Sequence, residues 1–146
     1  MARRGTPLTD FVIDASMAIA WLIPEEFTDS ADAVVATISD ACIAPSLFWF
    51  EVRNILAMAE RRGRLGTGGA LISMERLRRL PIDDAGIGSD SAILLLASSH
   101  VISAYDAAYL SLALNRNLPL ATLDRKLANA ARKEGLTILG PFAHGD

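Results

Sequence analysis

Residues 10–16 read Asp-Phe-Val-Ile-Asp-Ala-Ser, and residues 17–22 continue as Met-Ala-Ile-Ala-Trp-Leu. The short apolar run at 11–13 predicts a buried strand, and the run at 17–22, which stops before Pro24, predicts a helix. The acidic and small residues at 14–16 make the turn between them. A strand that leads directly into a helix is the repeating unit of a parallel sheet covered by helices.

The same alternation continues to the end of the chain. Further strands are predicted at 42–44, 80–82, 119–122 and 136–139, and further helices at 28–39, 45–62, 68–79, 89–99, 103–115 and 125–134. Asp83 and Asp84 are interpreted as a solvated turn after the third strand. The sequence therefore predicts an α/β fold. We expect a single three-layer α/β/α domain at 10–141 with a central, mainly parallel sheet, and short tails at 1–9 and 142–146.

Composition excludes several classes of protein. The chain has 146 residues, 51% of them hydrophobic and 21% charged, which excludes a disordered chain. A single cysteine, Cys42, excludes a disulfide framework and a cysteine-rich metal cluster, and the two histidines are isolated. The net charge of −3 argues against a strongly basic nucleic-acid-binding protein. It is compatible with an enzyme that attracts a phosphate backbone through divalent cations.

The apolar content raises the question of a membrane span. Mean hydropathy is +0.31, which is high. The longest apolar stretches, at 17–24 and 92–97, fall far short of the roughly 20 residues that a span needs. We therefore expect a cytoplasmic protein without a membrane segment. Its surplus of apolar residues predicts either a large core or an interface that another chain covers.

Four carboxylates are expected at one edge of the sheet. Asp14 follows the first strand, Glu51 lies in the helix after the second, and Asp124 follows the strand at 119–122 by one residue. Asp106 opens a helix after the apolar pair at 101–102. Ligands of open parallel sheets bind beyond the carboxyl ends of the strands. Because no histidine or cysteine accompanies these acids, the ligand set is all oxygen, which suits Mg²⁺ or Mn²⁺ and metal-assisted phosphodiester hydrolysis.

Three of these acids also have an ordinary structural interpretation. Asp14 and Asp124 each precede a predicted helix and suit an N-cap position. Ser103 and Asp106 have the spacing of a capping box. Taken singly, each of the three is explained as well by helix capping as by catalysis.

Glu51 is harder to explain as a structural residue. It follows Leu-Phe-Trp-Phe, and its neighbours one helical turn away are mostly apolar. An unpaired carboxylate on an apolar face is costly and needs a cation. The structural alternative requires an arginine partner, which Arg53, Arg61 or Arg62 could supply.

The helix predicted at 45–62 also carries aromatic residues and a basic end. The aromatic residues at 48–50 are interpreted as core or dimer contacts rather than as base-stacking platforms. Arg61, Arg62 and Arg64 are interpreted as a solvated helix end, with a patch that contacts phosphate as the alternative.

The acids lie in an ordered set of short motifs. These are Val12-Ile13-Asp14-Ala15-Ser16, Pro45-Ser46 with Glu51 in the following helix, Tyr105-Asp106-Ala107-Ala108-Tyr109, and Ala121-Thr122-Leu123-Asp124. Each motif is weak alone, but the ordered set spans nearly the whole chain. It resembles PIN-domain ribonucleases and, among these, the VapC-type toxins of bacterial toxin–antitoxin pairs.

The resemblance implies an activity and partners. It implies an endoribonuclease dependent on Mg²⁺ or Mn²⁺, with Asp14, Glu51, Asp106 and Asp124 as the catalytic and metal-binding acids. Ser16 and Thr122 match positions where the family tends to place a small hydroxyl that supports the site. The resemblance also implies a homodimer that cleaves RNA and is inhibited by a cognate, VapB-like antitoxin protein.

The predicted fold class is also compatible with two other kinds of protein. A phosphatase that forms an aspartyl phosphate needs a second Asp two residues after the first, where this chain has Ser16, and a phospho-signalling receiver needs an acidic pair after the first strand. A catalytically inactive scaffold with the same fold is the other alternative. It would be expected to lose one or more of the four acids, and all four are present.

Overall fold

The computed structural model describes residues 9–23, 29–38 and 41–145 and contains a five-stranded sheet that is parallel throughout. The strands are β1 (Thr9–Ile13), β2 (Ala41–Ala44), β3 (Ile82–Asp84), β4 (Leu120–Ala121) and β5 (Ile138–Leu139). Their order is β3-β2-β1-β4-β5. The chain thus builds outward from β1 in one direction and then returns to its other side with β4. Parallel sheets bind ligands at such a switch point.

In the described part of the chain, seven helices cover the sheet. They are α1 (Ala15–Leu22), α2 (Asp29–Ala36), α3 (Leu47–Arg61), α4 (Gly69–Leu77), α5 (Asp90–His100), α6 (Ala104–Arg116) and α7 (Arg125–Lys133). Helix α1 packs against α2, α3 and α4, whereas α6 packs against α5, α7, β1 and β4. The two groups of helices and the sheet make the predicted three-layer α/β/α fold, which is confirmed.

The core is centred on β1 and α1. Phe11, Val12 and Ile13 are each at most 1% exposed, which explains why this strand is apolar at every position. In α1 seven of the eight residues are buried. This dense packing holds the turn at Asp14 in place, between the most buried strand and the most buried helix.

The third strand differs from the prediction. It covers Ile82–Asp84 rather than 80–82, so the two aspartates interpreted as a turn belong to the strand and pair with Ile43 and Ala44. Strand β3 lies at the edge of the sheet, where its side chains remain partly or fully exposed. Polar residues are tolerated in such a strand. The apolar run at 80–82 therefore predicted a strand that begins two residues too early.

The apolar pair at 101–102 lies in the turn between α5 and α6. Val101 ends α5 in the left-handed conformation, with φ of 52°, and Ile102 is buried between the two helices. Other boundaries differ from the prediction by up to three residues, and β1 takes in Thr9, which was assigned to the tail. Residues 1–8 of the tail predicted at 1–9, and the predicted helix ends at 28 and 39, lie outside the described residues.

In the part of the chain that the structure describes, no single helix is long and apolar enough to cross a membrane. Helices α5 and α6 reach the required length and apolarity only when taken together, and they are bent by 113° relative to each other.

Candidate active site

Asp14 occupies the turn between β1 and α1, at the switch point of the sheet. It is 4% exposed and is the N-cap of α1, since its Oδ1 accepts a hydrogen bond of 3.0 Å from the Met17 N–H. The predicted capping role is therefore real. Capping is not the only interaction of this carboxylate, because two hydroxyl groups also donate hydrogen bonds to it.

The two hydroxyls come from Ser16 and Thr122. The Ser16 hydroxyl donates to Oδ1 of Asp14 over 2.7 Å and accepts a bond of 2.9 Å from the Leu123 N–H. The Thr122 hydroxyl donates to Oδ2 of Asp14 and accepts a bond of 2.9 Å from the Asp124 N–H. These bonds join the loop after β1 to the loop after β4, so both hydroxyls position the carboxylate of Asp14.

Asp124 and Asp106 are presented by helix starts. Asp124 caps α7, and its Oδ1 accepts bonds of 2.9 Å and 3.3 Å from the N–H groups of Lys126 and Leu127. Asp106 lies in the first turn of α6, whose N-cap Ser103 accepts a bond of 3.0 Å from the Asp106 N–H. Asp106 therefore opens a helix, as predicted, and the α5–α6 turn brings it to the site.

Glu51 has a hydroxyl partner instead of an arginine. The half-buried carboxylate accepts a bond of 2.5 Å from the hydroxyl of Tyr109, which is 2% exposed and lies on α6 one turn after Asp106. Arg53 donates to the carbonyl of Trp49, and Arg61 contacts the sulfur of Met58, so these two proposed partners are engaged elsewhere. The predicted site did not include Tyr109. Its spacing of three residues from Asp106 on one helix was the available signal.

The acids form one electrostatic cluster. Burial raises the pKa of Asp14 to about 6, and the negative charge of Asp124 adds to the rise. Hydrogen bonds from Thr122, Met17 and Ser16 act in the opposite direction and lower the pKa. Burial raises the pKa of Asp106, and Asp124 again contributes. Burial also raises the pKa of Glu51, to which the charge of Asp106 adds. Asp124 thus interacts with both Asp14 and Asp106, and Asp106 interacts with Glu51. The positive charge of Lys126 opposes the rise in the pKa of Asp106.

Tyr109 belongs to the same cluster. Burial raises the pKa of its hydroxyl, and so do the hydrogen bond to Glu51 and the charges of Glu51, Asp14 and Asp106. The hydroxyl therefore stays protonated and remains a donor to Glu51. Its location among three of the acids makes Tyr109 part of the site and not only of the core.

The donor atoms suit a hard divalent cation but do not form a complete cage. Among the residues that the structure describes, no three His, Cys, Asp or Glu side chains meet in a group that could hold a metal ion. Mg²⁺ does not require such a group, because it commonly binds through one or two carboxylates and takes its other ligands from water and substrate phosphate. Carboxylate and hydroxyl oxygens with raised carboxyl pKa values fit that kind of binding.

Comparison with known proteins agrees with the fold and the motifs. A family model for the PIN domain matches residues 11–133. The protein named Ribonuclease VapC3 of Pyrobaculum aerophilum is 34% identical over 122 residues, which are 80% of this chain and 91% of that protein. A protein of the same name from Mycobacterium tuberculosis is 31% identical over 130 residues, or 86% of this chain and 90% of that one.

Solved structures share the fold at lower identity. The crystal structure of PAE2754 from Pyrobaculum aerophilum has a TM-score of 0.64 at 21% identity and covers 89% of this chain and 90% of its own. A chain of a toxin–antitoxin complex from Klebsiella pneumoniae has a TM-score of 0.59 at 15% identity, and covers 80% of this chain and 88% of its own. At these identities the likeness concerns the fold.

Proposed function

Because this chain belongs to the PIN domain family, among its VapC-type ribonucleases, we propose that it is the toxin of a toxin–antitoxin pair and an endoribonuclease dependent on Mg²⁺ or Mn²⁺. The observation that carries the proposal is the coupled cluster of Asp14, Glu51, Asp106 and Asp124 at the switch point of the sheet. The ribonuclease name of relatives that align over most of their length supports the reaction class.

In this proposal the four acids share one role and the neighbouring hydroxyl groups have another. Asp14, Glu51, Asp106 and Asp124 would hold the cation together with water and the RNA phosphate, since no three of these side chains meet in one group. Bound there, a divalent cation would neutralise the scissile phosphate and promote attack by water. Ser16 and Thr122 keep both oxygens of Asp14 oriented, and the hydroxyl of Tyr109 does the same for Glu51.

The helix starts assist phosphate binding. Helices α1, α6 and α7 all begin at this edge, capped by Asp14, Ser103 and Asp124. Each N-terminus carries a partial positive charge, which favours an anion. These dipoles attract the RNA backbone to a site whose own carboxylates would otherwise repel it.

The test is RNA cleavage by the purified full chain, freed of any partner, with and without Mg²⁺ or Mn²⁺. We expect cleavage only with a cation, and expect Asp106→Asn to abolish it while the fold survives. Asp83→Asn is the matched control, because Asp83 is an exposed acid on the edge strand β3. Full activity of Asp106→Asn, or cleavage in the presence of a chelator, would contradict the proposal.

The ends of the cleaved RNA give a second test. Attack by water with the 3′ oxygen as the leaving group gives a 5′-phosphate and a 3′-hydroxyl. Attack by the 2′-hydroxyl of RNA, with the 5′ oxygen as the leaving group, gives a 2′,3′-cyclic phosphate and a 5′-hydroxyl. The second route normally needs a general base. His100 is committed to Glu134 by a bond of 2.6 Å. We expect 5′-phosphate ends, detected by their ligation without prior phosphorylation; cyclic ends would point to different chemistry.

The proposal includes two protein partners and a cytoplasmic location. An antitoxin is supported by the similarity in fold to a toxin–antitoxin complex. Co-expression of this chain with the product of an adjacent small gene should give a complex that co-purifies and does not cleave RNA. A chain that is harmless when expressed alone would contradict the toxin role.

A second copy of this chain is the other partner. Exposed large apolar side chains are concentrated between residues 87 and 105, where five of them are 61% to 82% exposed: Ile87, Leu94, Leu95, Val101 and Tyr105. Apolar clusters of this kind mark protein interfaces. Leu95→Glu should therefore produce monomers in sedimentation velocity, whereas the equally exposed Leu71→Glu on α4 should not.

A further inference from the structure

We propose that four residues beside the acid cluster bind single-stranded RNA and hold the substrate across the edge of the sheet. They are Trp49, Phe50 and Arg53 of α3 and Arg78, which follows α4, and we call them the arginine–aromatic surface. This inference rests on the proposed ribonuclease function and adds to it the surface that recognises the substrate.

The surface consists of two stacked pairs. The guanidinium carbon of Arg78 lies 4.4 Å from the centre of the Trp49 ring, and that of Arg53 lies 4.7 Å from the centre of the Phe50 ring. Arg53 is also fixed by a bond of 3.1 Å from its Nε to the Trp49 carbonyl. The pairs border an open depression of about 520 Å³. They therefore present flat, ordered, cationic groups to solvent.

The exposure of Phe50 requires an explanation. This ring is 67% exposed, although it lies in a helix that buries Phe48, Val52 and Leu56. An aromatic ring left in water and stacked with an arginine is a common platform for nucleobases, which stack on aromatic rings and on guanidinium planes.

The charge around the surface also favours RNA. Residues 46–81 contain seven arginines and three glutamates, although the whole chain has a net charge of −3. Half of the chain's 14 basic residues are thus concentrated in the α3–α4 region. A local basic region on an acidic protein is the electrostatic footprint of a phosphate-binding surface.

The surface and the acid cluster lie at the same edge of the sheet, beyond the carboxyl ends of the strands. Glu51 follows Phe50 directly on α3, and Ser46 at the start of α3 donates a bond of 2.6 Å to Asp84, which ends β3. Strand β3 lies two strands from β1, or about 10 Å at the usual strand spacing. An RNA strand that crosses this edge can therefore reach both the acids and the stacked pairs.

Asp84 also borders the depression, and its carboxylate is already hydrogen-bonded within the protein. Asp84 accepts hydrogen bonds from Ser46 and from the N–H of Gly86, at 2.6 Å and 2.8 Å. The two arginines outnumber it. A protein segment rich in acidic residues would satisfy the arginines but would make no use of the ring faces, so we favour RNA as the occupant.

The experiment measures RNA binding in the Asp106→Asn background, in which we expect no cleavage. The probe is a fluorescein-labelled single-stranded RNA of about 12 nucleotides and mixed sequence, followed by anisotropy in Mg²⁺ buffer. Arg78→Gln and Trp49→Leu should each weaken binding about 5- to 30-fold. Arg78→Gln should also lower the dependence of log Kd on log salt by about 0.7. Arg116→Gln, at the opposite end of α6 from Asp106, is the control and should bind normally.

The outcomes separate this inference from the proposed function. If the parent chain cleaves RNA and the surface variants bind it as tightly as the control does, the surface is wrong and the function stands. If a poly-glutamate peptide binds as tightly as RNA and Trp49→Leu leaves RNA binding unchanged, the surface serves an acidic protein and the inference is overturned. If the parent chain cleaves no RNA with either cation, the proposed function itself fails.

Discussion

Replacing Asp14 by Asn should stabilise the cation-free protein at neutral pH. Asp14 is almost fully buried, and burial raises its pKa from 3.8 to about 6. The interval between these two pKa values corresponds to about 3 kcal/mol. Above pH 6 the folded protein carries this cost in full, because the carboxylate is ionised in both the folded and the unfolded chain. Below pH 4 it is protonated in both, and the cost disappears.

Asparagine keeps most of the hydrogen bonds. Its oxygen can accept from the Met17 N–H and the Ser16 hydroxyl, and its NH₂ group can donate to the Thr122 hydroxyl oxygen. Part of the gain is lost because these bonds no longer involve a charge. The free energy of unfolding of Asp14→Asn should therefore exceed that of the parent by about 1–3 kcal/mol at pH 7, a rise in Tm of roughly 3–10 °C.

The assay is thermal and urea unfolding in chelator from pH 4 to pH 8. The difference between Asp14→Asn and the parent should shrink as the pH falls from 7 to 4, since protonation then stabilises the parent. Asp90→Asn, at an exposed acid in the first turn of α5, should change stability by less than about 0.5 kcal/mol. A variant that is less stable than the parent by the same amount at every pH would refute the reasoning, and helix capping would then be the main role of Asp14.

Two further substitutions test how the site is held. Tyr109→Phe removes only the hydroxyl that donates to Glu51, so we expect Mn²⁺ binding measured by calorimetry to weaken about 5- to 10-fold, with the loss of about one hydrogen bond to a charged group. Gly140→Ala should lower stability by about 1–3 kcal/mol in urea unfolding and reduce cleavage, because φ is 113° there and the new methyl carbon would lie 2.8 Å from the Thr122 carbonyl oxygen. Gly63→Ala, also at positive φ but with nothing within 4 Å, should leave cleavage unchanged.

The sequence predicted the fold wherever burial was complete. Strand β1 is apolar at three consecutive positions because helices cover both faces of the sheet, and this pattern cannot be mistaken for a half-exposed strand. The prediction was wrong where burial was partial. Strand β3 is exposed at Asp83 and Asp84, so the apolar pattern placed this strand two residues too early. A run of apolar residues indicates that a segment is buried. It locates a strand reliably only where the strand lies inside the sheet.

The candidate site was predictable to the extent that its residues adjoin strands. Asp14 follows β1 directly, and Asp124 follows β4 after two intervening residues, so their place at the carboxyl edge follows from the sheet alone. Asp106 comes to the same edge through a helix start. Tyr109 meets Glu51 across 58 positions of sequence, a contact that only the packing of α6 against the sheet and α3 can produce. Patterns of neighbouring residues in one sequence carry no information on a contact between residues so far apart in the chain.

Capping and cation binding are alternative interpretations of Asp14 and Asp124 in the sequence, but the geometry makes the two roles compatible. A cap uses Oδ1 of Asp124 for two backbone N–H groups, and this bond fixes the orientation of the remaining oxygen. Asp14 is held still more firmly, by one N–H group and two hydroxyls. An acid that must meet a cation at a defined position gains from being immobilised beforehand, because no side-chain entropy is then lost on binding. The helix starts thus supply rigid carboxylates, and the raised pKa of Asp14 reflects the burial that this rigidity requires.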